Sequence, residues 1–124
     1  MLHKLTIIIP SRNRPGDLNK QINFIKNWGA QIFILDGSDN INEYCYNLSI
    51  AEPNIKYIHD TRGFVSRIIF LKAKIKTKYA MFMADDEFFV KNTLKKCIQF
   101  LENNIDYASC SGLAVAFKKT YKKK

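Results

Sequence analysis

Short apolar runs that end in polar clusters, alternating with stretches of helical periodicity, constrain this chain more than any other feature. Leu5 to Ile9 is apolar and β-branched and stops at Pro10; Ile32 to Leu35, Ile55 to His59 and Tyr79 to Ala84 repeat the pattern. Apolar runs of this length, with little polar alternation, suit strands of a parallel sheet buried on both faces. Between them, Pro15-Gly16-Asp17 opens a helix with Leu18, Ile22 and Ile25 on one face, closed by Gly29. Ile41 to Ile50 reads as a second helix, ended by Pro53. Phe64 to Ile75 reads as a third, with Phe64, Ile68, Leu71 and Ile75 spaced for one buried stripe. Asn92 to Leu101 is a fourth, and Tyr107 to Phe117 a last strand with a break at Gly112. Such crossover units predict an α/β fold, a mostly parallel sheet flanked by helices on both faces.

At 124 residues there is material for one ordinary domain, residues 1–117, followed by a basic tail at 118–124. A hydrophobic fraction of 47% argues against disorder. No apolar run approaches a membrane span, and the opening Leu5 to Pro10 run is too short for a signal-peptide core. Cys45, Cys97 and Cys110 are an odd number without metal-ligand spacing, which predicts reduced, buried thiols and a cytoplasmic protein. The net charge of +9 is partly borne by Lys118, Lys119 and Lys122 to Lys124. That tail suits peripheral contact with anionic lipid at the cytoplasmic membrane face, whereas nucleic acid is not an expected partner.

The run Lys78 to Glu87 passes from an apolar strand into three consecutive carboxylates, Asp85, Asp86 and Glu87. In open α/β sheets ligands bind outside the carboxyl ends of the strands. The other strand ends carry Pro10-Ser11-Arg12-Asn13-Arg14, Asp36-Gly37-Ser38-Asp39 and His59-Asp60-Thr61-Arg62-Gly63. Any one cluster is ordinary turn and cap chemistry. All of them on one rim, mixing arginines with acids, point to an anionic ligand and a metal. Arg12, Arg14, Arg62 and Arg67 could offer planar forks to phosphate oxygens. Asp36 could accept from a base or ribose, and Asp85 or Asp86 could hold Mg²⁺ or Mn²⁺, whose shells are completed by phosphates and water. Glu87 reads as an acid that orients that shell, and His59 as turn structure. Trp28 reads as a cover over the core. No Walker sequence, dinucleotide fingerprint or nucleophile elbow occurs.

These motifs, in this order, resemble the nucleotide-binding half of glycosyltransferase family 2, with its Rossmann-like GT-A fold. The resemblance covers roughly residues 4 to 115. Leu5-Thr6-Ile7-Ile8-Ile9-Pro10-Ser11-Arg12-Asn13-Arg14-Pro15 is similar to the family's first strand and loop. Asp36-Gly37-Ser38 is similar to its nucleoside-contacting segment, and Gly63 and Arg67 match its helix before the acidic strand. Met83-Ala84-Asp85-Asp86 looks like the family's metal motif, with Met83 standing where its first aspartate is found.

The resemblance implies a nucleotide-sugar site, for a uridine diphosphate sugar, formed by Pro10, Ser11, Arg12, Asn13, Arg14, Asp36, Ser38, Gly63, Arg67 and Asp86. It implies a divalent metal on Asp85 and sugar transfer to an acceptor hydroxyl. In the family, the acceptor-binding half that follows supplies the general base. After Phe89 this chain has only Glu102 and Asp106 as acids. The expectation is therefore a donor-binding half, truncated relative to the family, without its own base, and prone to self-association through apolar surface.

Overall fold

The computed structural model describes residues 1–116; the basic tail and Phe117 lie outside the described residues. The chain opens with a 3-10 turn, Leu2–Lys4, and then alternates strand and helix. The strands are β1 (Leu5–Ser11), β2 (Gln31–Asp36), β3 (Ile55–His59) and β4 (Tyr79–Phe82). The helices are α1 (Pro15–Ile25), α2 (Glu43–Ala51), α3 (Phe64–Lys72) and α4 (Lys91–Asn103). All pairings are parallel, in the order β3-β2-β1-β4. The register sets Ser11 beside Asp36, Asp36 beside His59, and Ile8 beside Phe82, so the polar strand ends share one rim.

Alternation along the strands divides the core. Ile7, Ile9, Ile32, Ile34 and Ile55 face Leu18, Ile22 and Ile25 of α1, Cys45 of α2 and Ile98 of α4. Ile8, Phe33 and Leu35 face the other way, onto Leu71 of α3. Burying an isoleucine of this kind stabilises by about 1.5–3 kcal/mol relative to leaving it exposed. The chain steps outward from β1 to β2 to β3, then returns across the sheet to β4. That reversal puts α3 on the opposite face from α1 and α2, as right-handed crossovers require. Both faces are thus covered, as the alternating pattern implies. Pro15 starts α1 where its missing N–H costs nothing, and Gly29 leaves the helix end at φ 86°. Asn42 caps α2 by accepting from Cys45 N at 3.1 Å.

Several expectations change. Phe64 is 48% exposed, because the buried stripe of α3 runs through Arg67 and Leu71. Ile75 falls beyond the helix end, although it still packs beneath the sheet. Residues 107 to 116 form no strand. This segment instead lies along α4, with the Tyr107 ring 5.0 Å from that of Phe100 and Gly112 close to Thr93. A strand needs a neighbour's backbone groups, and β4 is the edge nearest in sequence yet takes no second partner among the described residues. Only Cys45 of the free cysteines is fully buried; Cys97 and Cys110 are half-buried. Trp28 does pack against the core. Among the described residues no helix is long and apolar enough to cross a membrane.

Candidate functional site

The strand order reverses direction between β1 and β4, and in open parallel sheets the crevice at such a point is where ligands bind. Two side chains bridge that crevice. Ser11 Oγ donates to Asp85 Oδ2 at 2.8 Å, and Arg14 Nη1 lies 3.2 Å from Asp85 Oδ1. Arg14 Nη2 also reaches Asp86 Oδ2 at 3.6 Å and Asp17 Oδ2 at 3.0 Å. Asp85 is 7% exposed, whereas Asp86 and Arg14 lie open to solvent. Facing carboxylates, Asp85 foremost, raise the pKa of the Arg14 guanidinium.

The acidic turn is held from beneath. Met83 N continues the sheet by donating to Ile8 O at 2.9 Å, and its side chain is fully buried. Gln21, in the buried face of α1, donates through Nε2 to Ala84 O at 3.0 Å and also to Glu87 O. Glu87 Oε1 accepts from Ala84 N at 2.8 Å, closing the turn on itself. Glu87 therefore shapes the backbone that presents Asp85 and Asp86.

The β2 side is built differently. Asp36 is 1% exposed, and its carboxylate is already occupied. Oδ1 accepts from Ser38 N at 2.9 Å, and Oδ2 accepts from Tyr57 OH at 2.6 Å. Tyr57 OH in turn accepts from Asn42 N at 2.8 Å. Burial first, then the bond to Asp36, raises the phenol pKa, and burial beside the same carboxylate pushes Cys45 up to about 12. Asn13 adopts φ 55°, a left-handed conformation that asparagine tolerates. It ties the two loops together: Asn13 N donates to Ser38 Oγ at 2.7 Å, and Asp39 N donates to Asn13 Oδ1 at 3.0 Å. His59 Nε2 sits 2.7 Å from Ser38 O, which fits the turn role expected of it. A shallow depression of about 610 Å³ opens beside these loops, lined by Asp39, Asn40, Ile41, Glu43, Tyr46 and His59.

The four arginines have separate surroundings. Arg67 is 6% exposed and runs beneath the rim, where Nη1 donates to Leu35 O at 3.1 Å and Ser11 O at 3.3 Å. It braces the ends of β1 and β2 from below, and its Nε finds no partner among the described residues. Arg62 folds back on Asp60, and its hydrogen bonds hold that carboxyl down at about 2. Arg12 is exposed and makes no ion pair among the described residues. Gly63 stands at the N-terminus of α3 with open space where a side chain would project. Pro10 continues β1 opposite Leu35. Ser11, Arg14, Asp85 and Asp86 therefore meet in one place, with Asn13, Ser38 and Asp36 beside them.

Residues 6–124 match the family described as glycosyl transferase family 2. The chain belongs to glycosyl transferase family 2. No curated protein and no solved structure matches it. The four-stranded parallel sheet is accordingly the Rossmann-like half of a family-2 domain, and nucleotide-sugar binding of the glycosyltransferase type is its general character.

Among the described residues of this family-2 domain, no three His, Cys, Asp or Glu side chains cluster as a metal cage. The donors at the crevice are two adjacent carboxylates without imidazole or thiolate. That set fits a hard ion whose shell a substrate's phosphates and water complete, and the guanidinium between them marks a place already selecting positive charge. Gln21 and Tyr57 were not read from the sequence as part of the site. The signal for Gln21 was there: a polar residue between Leu18 and Ile22 on an otherwise apolar helix face. Tyr57 gave none, because an aromatic residue in a strand is ordinary core.

Proposed function

We propose that this family-2 domain binds a uridine diphosphate sugar across the β1–β4 crevice, with Mg²⁺ or Mn²⁺ held by Asp85 and assisted by Asp86. The observation that carries the reading is the Ser11–Asp85–Arg14 constellation at the point where the strand order reverses. A divalent ion bound there supplies Lewis-acid stabilisation of charge on the departing diphosphate, an effect worth several kcal/mol in general.

The chain's own residues divide the remaining work. Ser11 fixes the Asp85 carboxylate through its hydroxyl, so the ligand meets one preset orientation. Arg14 and the exposed Arg12 face the diphosphate, and the open space at Gly63 lets the α3 N-terminus approach the same anion. Asn13 and Ser38, locked together, form the floor for the nucleoside. Asp36 holds that floor in shape through Ser38 N and Tyr57 OH. Arg67 acts beneath it by pinning the strand ends to which both loops are attached.

A second reading, donor binding without turnover by the described residues, has its own support. Glu102 is engaged by Lys4 and Lys78, which precede β1 and β4, so it lies at the edge of the sheet opposite the rim. Asp106 follows α4 at that same end. Neither acid after Phe89 is placed to take a proton from an acceptor hydroxyl on the rim. The acceptor's base would then come from outside these residues.

The test is a thermal-shift and calorimetric titration of uridine diphosphate with and without Mn²⁺. At one hundred times its dissociation constant a ligand adds about 2.7 kcal/mol of stability. Asp85→Asn should abolish most of the Mn²⁺-dependent part and leave the unliganded protein folded. Equal Mn²⁺-dependent stabilisation of the variant and the wild type would refute the assignment.

A further inference from the structure

Asp17, Asp85 and Asp86 all face the single guanidinium of Arg14, so three carboxylates against one positive charge leave two negative charges. No other lysine or arginine among the described residues pairs with any of the three. The members of this group differ in mobility. Asp85 is buried and fixed by Ser11, whereas the Arg14 and Asp86 side chains are 48% and 56% exposed. Arg14 is the N-cap residue of α1 but caps it through its backbone carbonyl only, so its side chain has no backbone duty that would hold it in place. Exposed ion pairs are weak and readily exchanged. Arg14 Nη1 nevertheless lies against Asp85 Oδ1, the oxygen left over after Ser11 has engaged Oδ2. A metal using that oxygen would meet the guanidinium's charge at close range.

We propose that Arg14 is a displaceable counter-cation. It neutralises Asp85 and Asp86 while the crevice is empty, and exchanges onto the donor's diphosphate when metal takes its place. The inference rests on the donor-and-metal reading above and adds an order of preference to it. Metal alone binds poorly because it must compete with Arg14 for Asp85, and once Asp85 and Asp86 turn to the metal the guanidinium keeps only Asp17 among the described residues. A diphosphate supplies that anion, and the planar fork of arginine matches phosphate oxygens in pairs. Donor and metal therefore strengthen each other's binding, and by linkage the factor is the same in both directions.

The experiment is a Mn²⁺ titration, followed by electron paramagnetic resonance of the free ion, with and without uridine diphosphate. It compares the wild type with Arg14→Gln, Arg14→Lys and Asp85→Asn. Without nucleotide, Arg14→Gln should bind Mn²⁺ about tenfold more tightly than the wild type, and the nucleotide should then enhance metal binding less. Arg14→Lys keeps the charge and should stay near the wild type for metal alone, which also shows that any gain is electrostatic and not a loosened fold. Asp85→Asn should lose the site. If wild-type binding depends on Asp85 but Arg14→Gln leaves the affinity unchanged or weaker, the counter-cation role is overturned and the metal site stands. If no protein binds Mn²⁺ with nucleotide present, or Asp85→Asn binds like the wild type, the metal site falls and this proposal falls with it.

Discussion

A methyl group added at Gly37 should be costly in the presence of Arg67 and harmless or favourable without it. A Cβ at position 37 would stand 2.6 Å from Arg67 Nη1, 2.7 Å from Cζ and 2.9 Å from Nη2, too close for any of them to stay. The end of an arginine is normally free to move, but this one is buried and donates to Leu35 O and Ser11 O. Ser11 O also accepts from Gly37 N at 2.8 Å, so displacement of the guanidinium leaves it partnered. Leu35 O likewise keeps its place in the parallel β1–β2 ladder, where Ser11 pairs with Asp36, so the loss falls on the buried guanidinium itself. A bond from a charged donor is worth about 1.5–3 kcal/mol, which puts Gly37→Ala at about 2–3 kcal/mol of destabilisation. Urea unfolding followed by the single tryptophan, Trp28, measures this, and with a slope of about 1.5 kcal/mol per M the midpoint falls by about 1.5 M. In an Arg67→Ala background the obstruction is gone. The backbone there is not left-handed, so alanine should then stabilise by about 0.4–1 kcal/mol through the unfolded chain. The sign of the effect reverses between backgrounds. An equal penalty in both would show that the strain lies elsewhere and that Arg67 is no brace.

Acid should loosen the edge opposite the rim. Lys4 and Lys78 hold the Glu102 carboxyl down at about 2 from 4.5, so their contribution is complete above pH 4.5 and is lost as pH falls toward 2. Glu102→Gln should remove that part of the acid dependence, and parallel pH–stability curves for the two proteins would refute it. The segment after α4 carries Cys110 toward Cys97, whose thiol pKa is raised by burial and by the Cys110 thiol beside it. Exchange with a small-molecule disulfide, releasing two reduced thiols, should join Cys97 to Cys110 before it touches Cys45; peptide mapping that finds Cys45 oxidised first would contradict this placement. Asp36→Ala should cost about 2–4 kcal/mol, since it removes acceptors from Ser38 N and the half-buried Tyr57 hydroxyl. Loss of nucleotide affinity at full stability in that variant would instead make Asp36 a direct ligand.

What the sequence made legible follows from how local each signal is. Strands β1 and β2 declare themselves because an uninterrupted Ile-rich run has few other fates, and with β3 and β4 parallel to them every polar end converges. The stripe on α1 is equally local, and Leu18, Ile22 and Ile25 are all buried. Arg67 was placed with the ligand-facing arginines because charge ordinarily marks a surface. Its burial depends on two carbonyls brought together only by the β1–β2 register, which no window of sequence contains. The same kind of non-local fact decides residues 107 to 116, whose apolar residues suit a strand but find α4 instead of a sheet edge.

The two sides of the rim are therefore unlike in what they can give to a ligand. Around Asp36 the strong acceptors are satisfied by Ser38 N and Tyr57 OH before any ligand arrives. An interaction already complete in the free protein adds no affinity; it adds shape, and with shape, discrimination among ligands. Around Asp85 the balance is left open, with two negative charges in excess and a cation that can leave. Interactions that form only with the ligand are available on that side, so binding energy should concentrate at β4 and selectivity at β2. A change on the β2 side should then act through stability or choice of nucleoside, and a change on the β4 side through metal and phosphate affinity.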